Sequence, residues 1–387
     1  MMYKSSELNI FSMLSHLIST PSISSKDPKI DQSNKGVIDL IAQWLSDIGF
    51  SIEIIPSIGA EDKFNLIASY GSGEGGLILS GHSDTVPFDE DRWSGDPLKL
   101  RDIDGRWYGL GVSDMKCFFP IAIEALKRVG LNRIEKPVYI VATADEESTM
   151  SGIYTLYNIK KPSADYVVIG EPTGLKPIRM NKGIMMESIK VIGVDGHSSD
   201  PERGRNAIEG MWFVMEGLMR WRKNLKDKYN NPSFSVPHPT LNFGRIHGGD
   251  SPNRICPICE LQIDIRLNPG MDIEDVRTSI GDLVSEVIEN KGFSSEIKPL
   301  FIGTPAMDTP EHSSIVKASE ELTGYRSGAV MFATEGYFFN KMGMETIILG
   351  PGNIEVAHRP DEYLEVSNIE PALNIYSSLI DRFCCHY

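Results

Sequence analysis

The sequence predicts an α/β protein, with a central and mostly parallel sheet interrupted by an inserted ferredoxin-like α+β domain. Three features predict it. Four short apolar runs, Leu77–Leu79, Pro137–Thr143, Tyr166–Ile169 and Thr346–Leu349, read as strands buried on both faces, the signature of a parallel sheet. Residues from about 8 to 180 alternate such strands with helices, as a doubly wound domain does. After Asn181-Lys-Gly183 the rhythm becomes strand-helix-strand-strand-helix-strand, the order of a split βαβ unit. The first domain resumes near Pro305. The expected division is 1–181, an insertion over 182–302, and 303–387.

Each element has a local reason. The first helix covers roughly Leu8–Ile18 and stops before Pro21; the second covers Gly36–Ile48 and ends at Gly49. Gly71-Ser-Gly73-Glu-Gly-Gly76 satisfies the spacing of a dinucleotide-binding loop, but it precedes a strand instead of following one. It therefore reads as a hairpin turn. Gly109–Lys116 is a Gly-rich loop feeding an apolar helix that runs to about Val129. In the insertion, Ile184–Val194, Thr240–His247, Cys259–Leu267 and Ser294–Phe301 read as strands. Asn206–Leu225 is a long helix with Ile208, Met211, Trp212, Met215, Leu218 and Met219 on one side, a stripe suited to core or dimer packing. Ile273–Asn290 is a second amphipathic helix.

Composition narrows the function. The net charge of −15 disfavours nucleic acid and anionic membranes as partners. Met1–His16 lacks the basic flank and unbroken apolar stretch of a signal peptide, and no run is long enough to span a bilayer. Five cysteines fit a reducing cytoplasm. Cys256-Pro-Ile-Cys259 has no second pair and reads as buried thiols, and Asp89-Glu90-Asp91 reads as a solvated loop. No Gly-x-Ser-x-Gly elbow is present, which argues against serine hydrolase chemistry.

The chemistry gathers at the strand ends. His82 and Asp84 follow the first run, Asp145-Glu146-Glu147 the second, Glu171 the third, and His358 lies beyond the fourth. Asp114 sits in the Gly-rich loop. Ligands of open α/β sheets bind beyond the carboxyl ends of the strands, so these residues converge on one crevice. Two imidazoles and three carboxylates suit two borderline divalent cations with one carboxylate bridging. Asp84 has the chemistry to orient the His82 ring through its other nitrogen. Asn253, Arg254, Arg266, Lys182 and Thr334 are candidates for holding a substrate carboxylate.

Taken together, these motifs resemble the dinuclear zinc amidohydrolase family that includes acetylornithine deacetylase, succinyl-diaminopimelate desuccinylase and aminoacylase. The resemblance runs from about Leu8 to the last residues. It rests also on Asp91-Arg-Trp-Ser-Gly-Asp-Pro97, Ala144–Glu147, Gly196-His-Ser-Ser-Asp-Pro201, Ile246-His-Gly-Gly249 and Gly350-Pro-Gly352. It implies a catalytic domain with His82 and Glu171 on one metal, Glu147 and His358 on the other, and Asp114 bridging. It further implies zinc or cobalt as the metals, Glu146 as general base and Asp84 as a catalytic residue. His197 would reach the site of a neighbouring subunit, in a homodimer formed through the inserted domain, which also serves as a lid. The implied substrate is a small N-acyl amino acid. Ala333-Thr334-Glu335-Gly336 differs from the Gly-Gly-Thr-Ser-Asp stretch of the desuccinylase branch, which favours the acetylornithine deacetylases. On that reading Asn253, Arg266 and Thr334 bind the substrate, and Glu335 either faces its ammonium group or caps the helix that follows. Acetylcitrulline, succinyl-diaminopimelate and a non-catalytic metal-binding role are the rival expectations.

Overall fold

The structure is a computed structural model, and it describes residues 8–60 and 62–385. Residues 1–7, on which the reading of the N-terminus partly rests, lie outside the described residues. The chain forms two compact units. One takes in the described residues up to Arg179, with Thr309–Gly328 and the described residues from Glu335 on; the other takes in Met180–Asp308 and Ala329–Thr334. No described helix is long and apolar enough to cross a membrane.

The first unit is organised by four parallel strands, side by side in the order Val138–Thr143, Leu77–His82, Tyr166–Pro172, Glu345–Gly350. Leu77–Leu79, Val167–Ile169 and Ile347–Leu349 are fully buried, as unbroken apolar runs covered on both faces must be. Phe64–Tyr70 and Ser51–Pro56 extend one side as antiparallel strands. Register sets the working edge. His82 lies opposite Thr143, and Ser80 lies opposite Ile169, so His82 and Glu171 come to the same level two residues further on. The helix Phe118–Val129 is apolar almost all round because it is sandwiched by its neighbours; Phe118 stacks edge-on against Tyr376 of the helix Ile369–Cys384. The Tyr376 hydroxyl donates to the Leu349 carbonyl, tying that helix to the sheet.

The glycine-rich segment 71–76 is not a hairpin turn. The strands on either side of it are not neighbours, because Val138–Thr143 lies between them. The segment wraps over the start of that strand, with Ser72 and Leu77 donating backbone hydrogen bonds to the Glu135 and Pro137 carbonyls. Glycine is required for approach: a Cβ on Gly76, whose φ is +92°, would sit 1.9 Å from the Pro137 oxygen. Local spacing cannot reveal which strand a chain will insert between.

The second unit contains the sheet Thr240–Gly248, Ile258–Leu267, Gly183–Ile192, Ser294–Pro299, in that spatial order. All pairs are antiparallel, which is the ferredoxin-like arrangement. Gly183–Ile192 alternates buried and half-buried residues along its length, so one face carries the helices Ala207–Lys228 and Ile273–Ile288. The expected stripe on the longer helix divides. Met211 and Leu218 are buried with Val214, whereas Ile208, Trp212 and Met219 are exposed, Trp212 by 59%. The helix turns only one side to the sheet, and the expected stripe was wider than that side.

Gly76→Ala should destabilise the protein by about 1–3 kcal/mol in urea unfolding, the cost of a strained backbone position held by its surroundings. Gly73→Ala, also at positive φ but with nothing within 4 Å of its Cβ, should cost less.

Candidate metal centre

All the residues expected at the strand ends belong to the first unit, and they face one another. His82 closes its strand fully buried. Its Nδ1 lies 3.0 Å from the backbone carbonyl of Asp84. A carbonyl can only accept, so Nδ1 carries the proton and Nε2 is directed at the acids. Nε2 is 3.1 Å from Asp114 Oδ1 and 3.9 Å from Glu171 Oε1. On the other side, His358 Nε2 is 2.9 Å from Glu147 Oε1 and 3.2 Å from Asp114 Oδ2. The two oxygens of one buried carboxylate therefore each face a different imidazole.

The Asp84 carboxylate has a different role from the one its spacing suggests. The ring nitrogen of His82 is closer to the carbonyl than to the carboxylate, which lies 3.7 Å away. Asp84 Oδ1 and Oδ2 instead accept the backbone N–H groups of Glu146 and Glu147, at 3.3 and 3.1 Å. Asp84 thus ties the His82 strand end to the turn carrying two further acids. Within that turn Asp145 is left-handed, with φ +54°, and so is His358 at +57°. Non-glycine residues adopt that region seldom, and here two do so at one site.

Ligand atoms of His82, Asp114 and Glu147 lie within 4.8 Å of one another, as do those of His82, Glu146 and Glu171. Burial and the charge of Glu171 push Glu146 well above the usual carboxylate range, and burial and the charge of Asp114 do the same to Glu171. Burial raises Asp84 to about 6. Hydrogen bonds to Asp114 and Glu147 raise His358 to about 11. Burial opposes ionisation of Asp114, but its contacts with His358 and His82 outweigh that and lower it. Imidazole nitrogens and carboxylate oxygens packed this closely are the donors that borderline divalent cations take, so the donor set fits such a centre.

Two supporting residues, Glu362 and Lys116, were not expected at the site. Glu362 is 2% exposed and accepts the backbone N–H groups of Gly111, Ser113 and Asp114 at 2.7–3.0 Å, clamping the loop that presents Asp114. Burial and the charge of Asp114 raise it to about 8. Lys116 buries its ammonium against the Leu17 and Thr20 carbonyls, and burial lowers it to about 7. Glu335 is 1% exposed and lies in the same unit. Its side chain makes no cap hydrogen bond to the helix Gly336–Lys341; it bonds Thr143, and its Oε1 has no partner. Burial raises it to about 7.

The remaining expected residues lie in the second unit. His197 is exposed, with Nδ1 2.7 Å from the Ser199 hydroxyl, and its strand pairs with Arg254 and Ile255 beside Asn253. Asn253 accepts from the Ser251 hydroxyl. Arg254 pairs with Asp250 and Asp195, and Arg266 with Asp264. Lys182 is buried, donates to the His238 carbonyl and lies over the Phe234 ring. Thr334 is fully buried.

Comparison with known proteins identifies the family of the chain. The sequence pattern of peptidase family M20/M25/M40 matches residues 78–382. The acetylornithine deacetylase of Pasteurella multocida (strain Pm70) is 46% identical over 372 residues, covering 96% of this chain and 97% of that protein. That of Edwardsiella ictaluri (strain 93-146) is 46% identical over 368 residues, covering 95% and 96%. Among solved structures, the aminopeptidase PepT of Bacillus cereus superposes with a TM-score of 0.77 at 16% identity, covering 97% of this chain and 98% of that one. The chain belongs to peptidase family M20/M25/M40.

Proposed function

We propose that this chain is a metal-dependent deacetylase that hydrolyses N2-acetyl-L-ornithine to L-ornithine and acetate, a step of arginine biosynthesis in the cytoplasm. The observation that carries the reading is the shared carboxylate: Asp114 faces His82 with one oxygen and His358 with the other. The named relatives at 46% identity over nearly the whole chain support the substrate.

In this reading His82 and Glu171 hold one divalent ion, Glu147 and His358 a second, and Asp114 both. Zinc is the expected metal, with cobalt as a substitute. Such ions lower the pKa of water and polarise the acyl carbonyl. Glu146 takes the proton of the attacking water and returns it to the leaving nitrogen as the C–N bond breaks. Its position next to Glu147, with its carboxyl oxygen within 4.8 Å of a His82 ring nitrogen and a Glu171 oxygen, supports this role. Asn253, Arg266 and Thr334 bind the substrate carboxylate, and Glu335 faces the side-chain ammonium. The chain works as a homodimer through the inserted domain, in which His197 of a second copy neutralises the developing oxyanion. Support for the dimer comes from the exposed Ile208, Trp212 and Met219 and from the edge strand Thr240–Gly248, where Ile246 is 54% exposed.

A panel of acetylornithine, acetylcitrulline and succinyl-diaminopimelate tests the substrate. Acetylornithine should be hydrolysed fastest, and absence of acid release from every member would refute the enzyme reading. Carefully reconstituted protein should hold about two metal equivalents by elemental analysis, and chelation should abolish activity. Glu146→Gln should lower kcat by roughly 10²–10⁴-fold, the usual contribution of a general base, with metal content unchanged.

A dimer with sites shared between copies makes a separate prediction. Mixed dimers of Glu146→Gln and His197→Ala chains contain one site with both native residues, so mixing should restore activity that neither parent has. Verified heterodimers without activity would exclude action between copies.

Glu335→Gln should weaken kcat/KM for acetylornithine by about 1.5–3 kcal/mol, the value of a hydrogen bond to a charged group. A neutral acetylated amino acid should lose far less. Equal losses on both would assign Glu335 to support of the site and not to recognition of the side chain.

A further inference from the structure

The turn that presents Glu146 and Glu147 is held from behind by a buried ion pair with no counterpart in the chemistry described above. Lys63 is 4% exposed, and its ammonium has three acceptors: Asp145 Oδ1 at 2.8 Å, Asp31 Oδ1 at 2.7 Å and the Gln32 carbonyl at 2.8 Å. Three acceptors use all three protons of an ammonium group. Asp145 is anchored in turn, because Oδ1 also accepts from the Ser24 hydroxyl and Oδ2 from the Ser151 hydroxyl. The carbonyl of Asp145 accepts from the backbone of Thr149 and Met150, so the residue closes the turn with both its side chain and its backbone.

This network bears on Glu146 through the backbone. Asp145 is the left-handed residue immediately before Glu146, and φ at that position aims the peptide carrying the Glu146 N–H. In front, Asp84 receives the N–H groups of Glu146 and Glu147. Behind, a Cβ on Gly152 would sit 2.4 Å from the Ala144 nitrogen, so the following helix packs directly against the turn. The turn is gripped from both sides, and on the rear side the Lys63 ammonium is the positive charge that meets the Asp145 and Asp31 carboxylates. The segment carrying Ser24, Asp31 and Gln32 runs beside the His82 strand end, where Ser22 and Ser24 exchange backbone hydrogen bonds with Thr85. Lys63 therefore links the two strand ends that supply His82 and Glu146.

We propose that Lys63, through its ion pair with Asp145, is a positioning residue that sets the orientation of Glu146 and Glu147. The inference rests on the deacylase reading for its kinetic consequence, but its structural consequence is independent of activity. A displacement of about 1 Å in a catalytic group can cost on the order of 10² in rate.

The test uses Lys63→Met, Lys63→Arg and the double variant Lys63→Met/Asp145→Asn. Removing one partner of a buried pair leaves an uncompensated charge, whereas removing both relieves it, so the double variant should regain part of the thermal stability, with the more exposed Asp31 left to water. If Lys63 positions the turn, the double variant should still show kcat lowered roughly tenfold or more, with KM within about twofold of native and full metal content. In metal-free protein, exchange of the Glu146 and Glu147 amides should quicken, while that of Ile140 and Val141 stays native. Lys63→Arg keeps the charge but not the compact three-way contact, and should fall between the two. Native kcat in the folded, metal-loaded double variant, or native exchange at both amides, overturns the proposal. Should Lys63→Met fail to fold, the double variant and Lys63→Arg decide the matter. Native protein inert on every acyl amino acid would refute the deacylase reading while leaving the exchange result to judge Lys63.

Discussion

The site depends on a surplus of buried negative charge. Asp84, Asp114, Glu146, Glu147, Glu171 and Glu335 share one end of a sheet with two imidazoles, and most of them are almost inaccessible to water. Burying carboxylates is costly unless a positive charge or hydrogen-bond donors meet them. Asp114 is met by two imidazoles, and Asp84 by two backbone N–H groups. Glu146 and Glu171 find no comparable compensation, and both are pushed towards the protonated form. That imbalance is what divalent cations relieve, and it explains why so many acids are tolerated at one place.

The rest of the first unit supplies the stiffness that such an arrangement needs. Four parallel strands, covered on both faces, bring His82, Glu171 and the acid turn to the same edge through register alone. Loops complete the set, and each is fastened by polar contacts that reach far along the chain. Glu362 is 248 residues from the Asp114 amide it accepts, and the Ser24 hydroxyl is 121 residues from Asp145. Left-handed Asp145 is held in place by Lys63, Ser24 and Ser151. Backbone strain of this kind persists only where the surroundings over-determine it. Function-bearing loops on a rigid sheet are the usual division of labour in α/β proteins.

The second unit is built on a different principle. Its sheet is antiparallel and alternates buried with half-buried residues, so it needs a helical layer on one face only. Its longer helix is left with Ile208, Trp212 and Met219 in solvent, and one sheet edge is formed by Thr240–Gly248. An exposed apolar stripe beside an unpaired edge is a surface that natural proteins seldom leave uncovered.

The sequence by itself determined the fold class and which residues gather at the working edge of the sheet. Buried parallel strands announce themselves as unbroken apolar runs, and the residues after each run must appear at one edge. The gathering of His82, Glu147, Glu171 and His358 was therefore legible from position, and Asp114 from the glycine-rich loop that feeds the next helix. The split βαβ order of the second unit was legible for the same reason, since periodicity and element order are local properties. Tertiary structure alone decided what depends on distant partners. It placed Val138–Thr143 between the strands flanking Gly71–Gly76, which turned an expected hairpin into a crossover. It gave the His82 ring a carbonyl partner and sent the Asp84 carboxylate to the acid turn. It buried Glu335 with an unpartnered oxygen and recruited Lys63 and Glu362, which no motif marks. A hydrogen bond across more than a hundred residues leaves no spacing to read, because its geometry exists only once both segments have been packed.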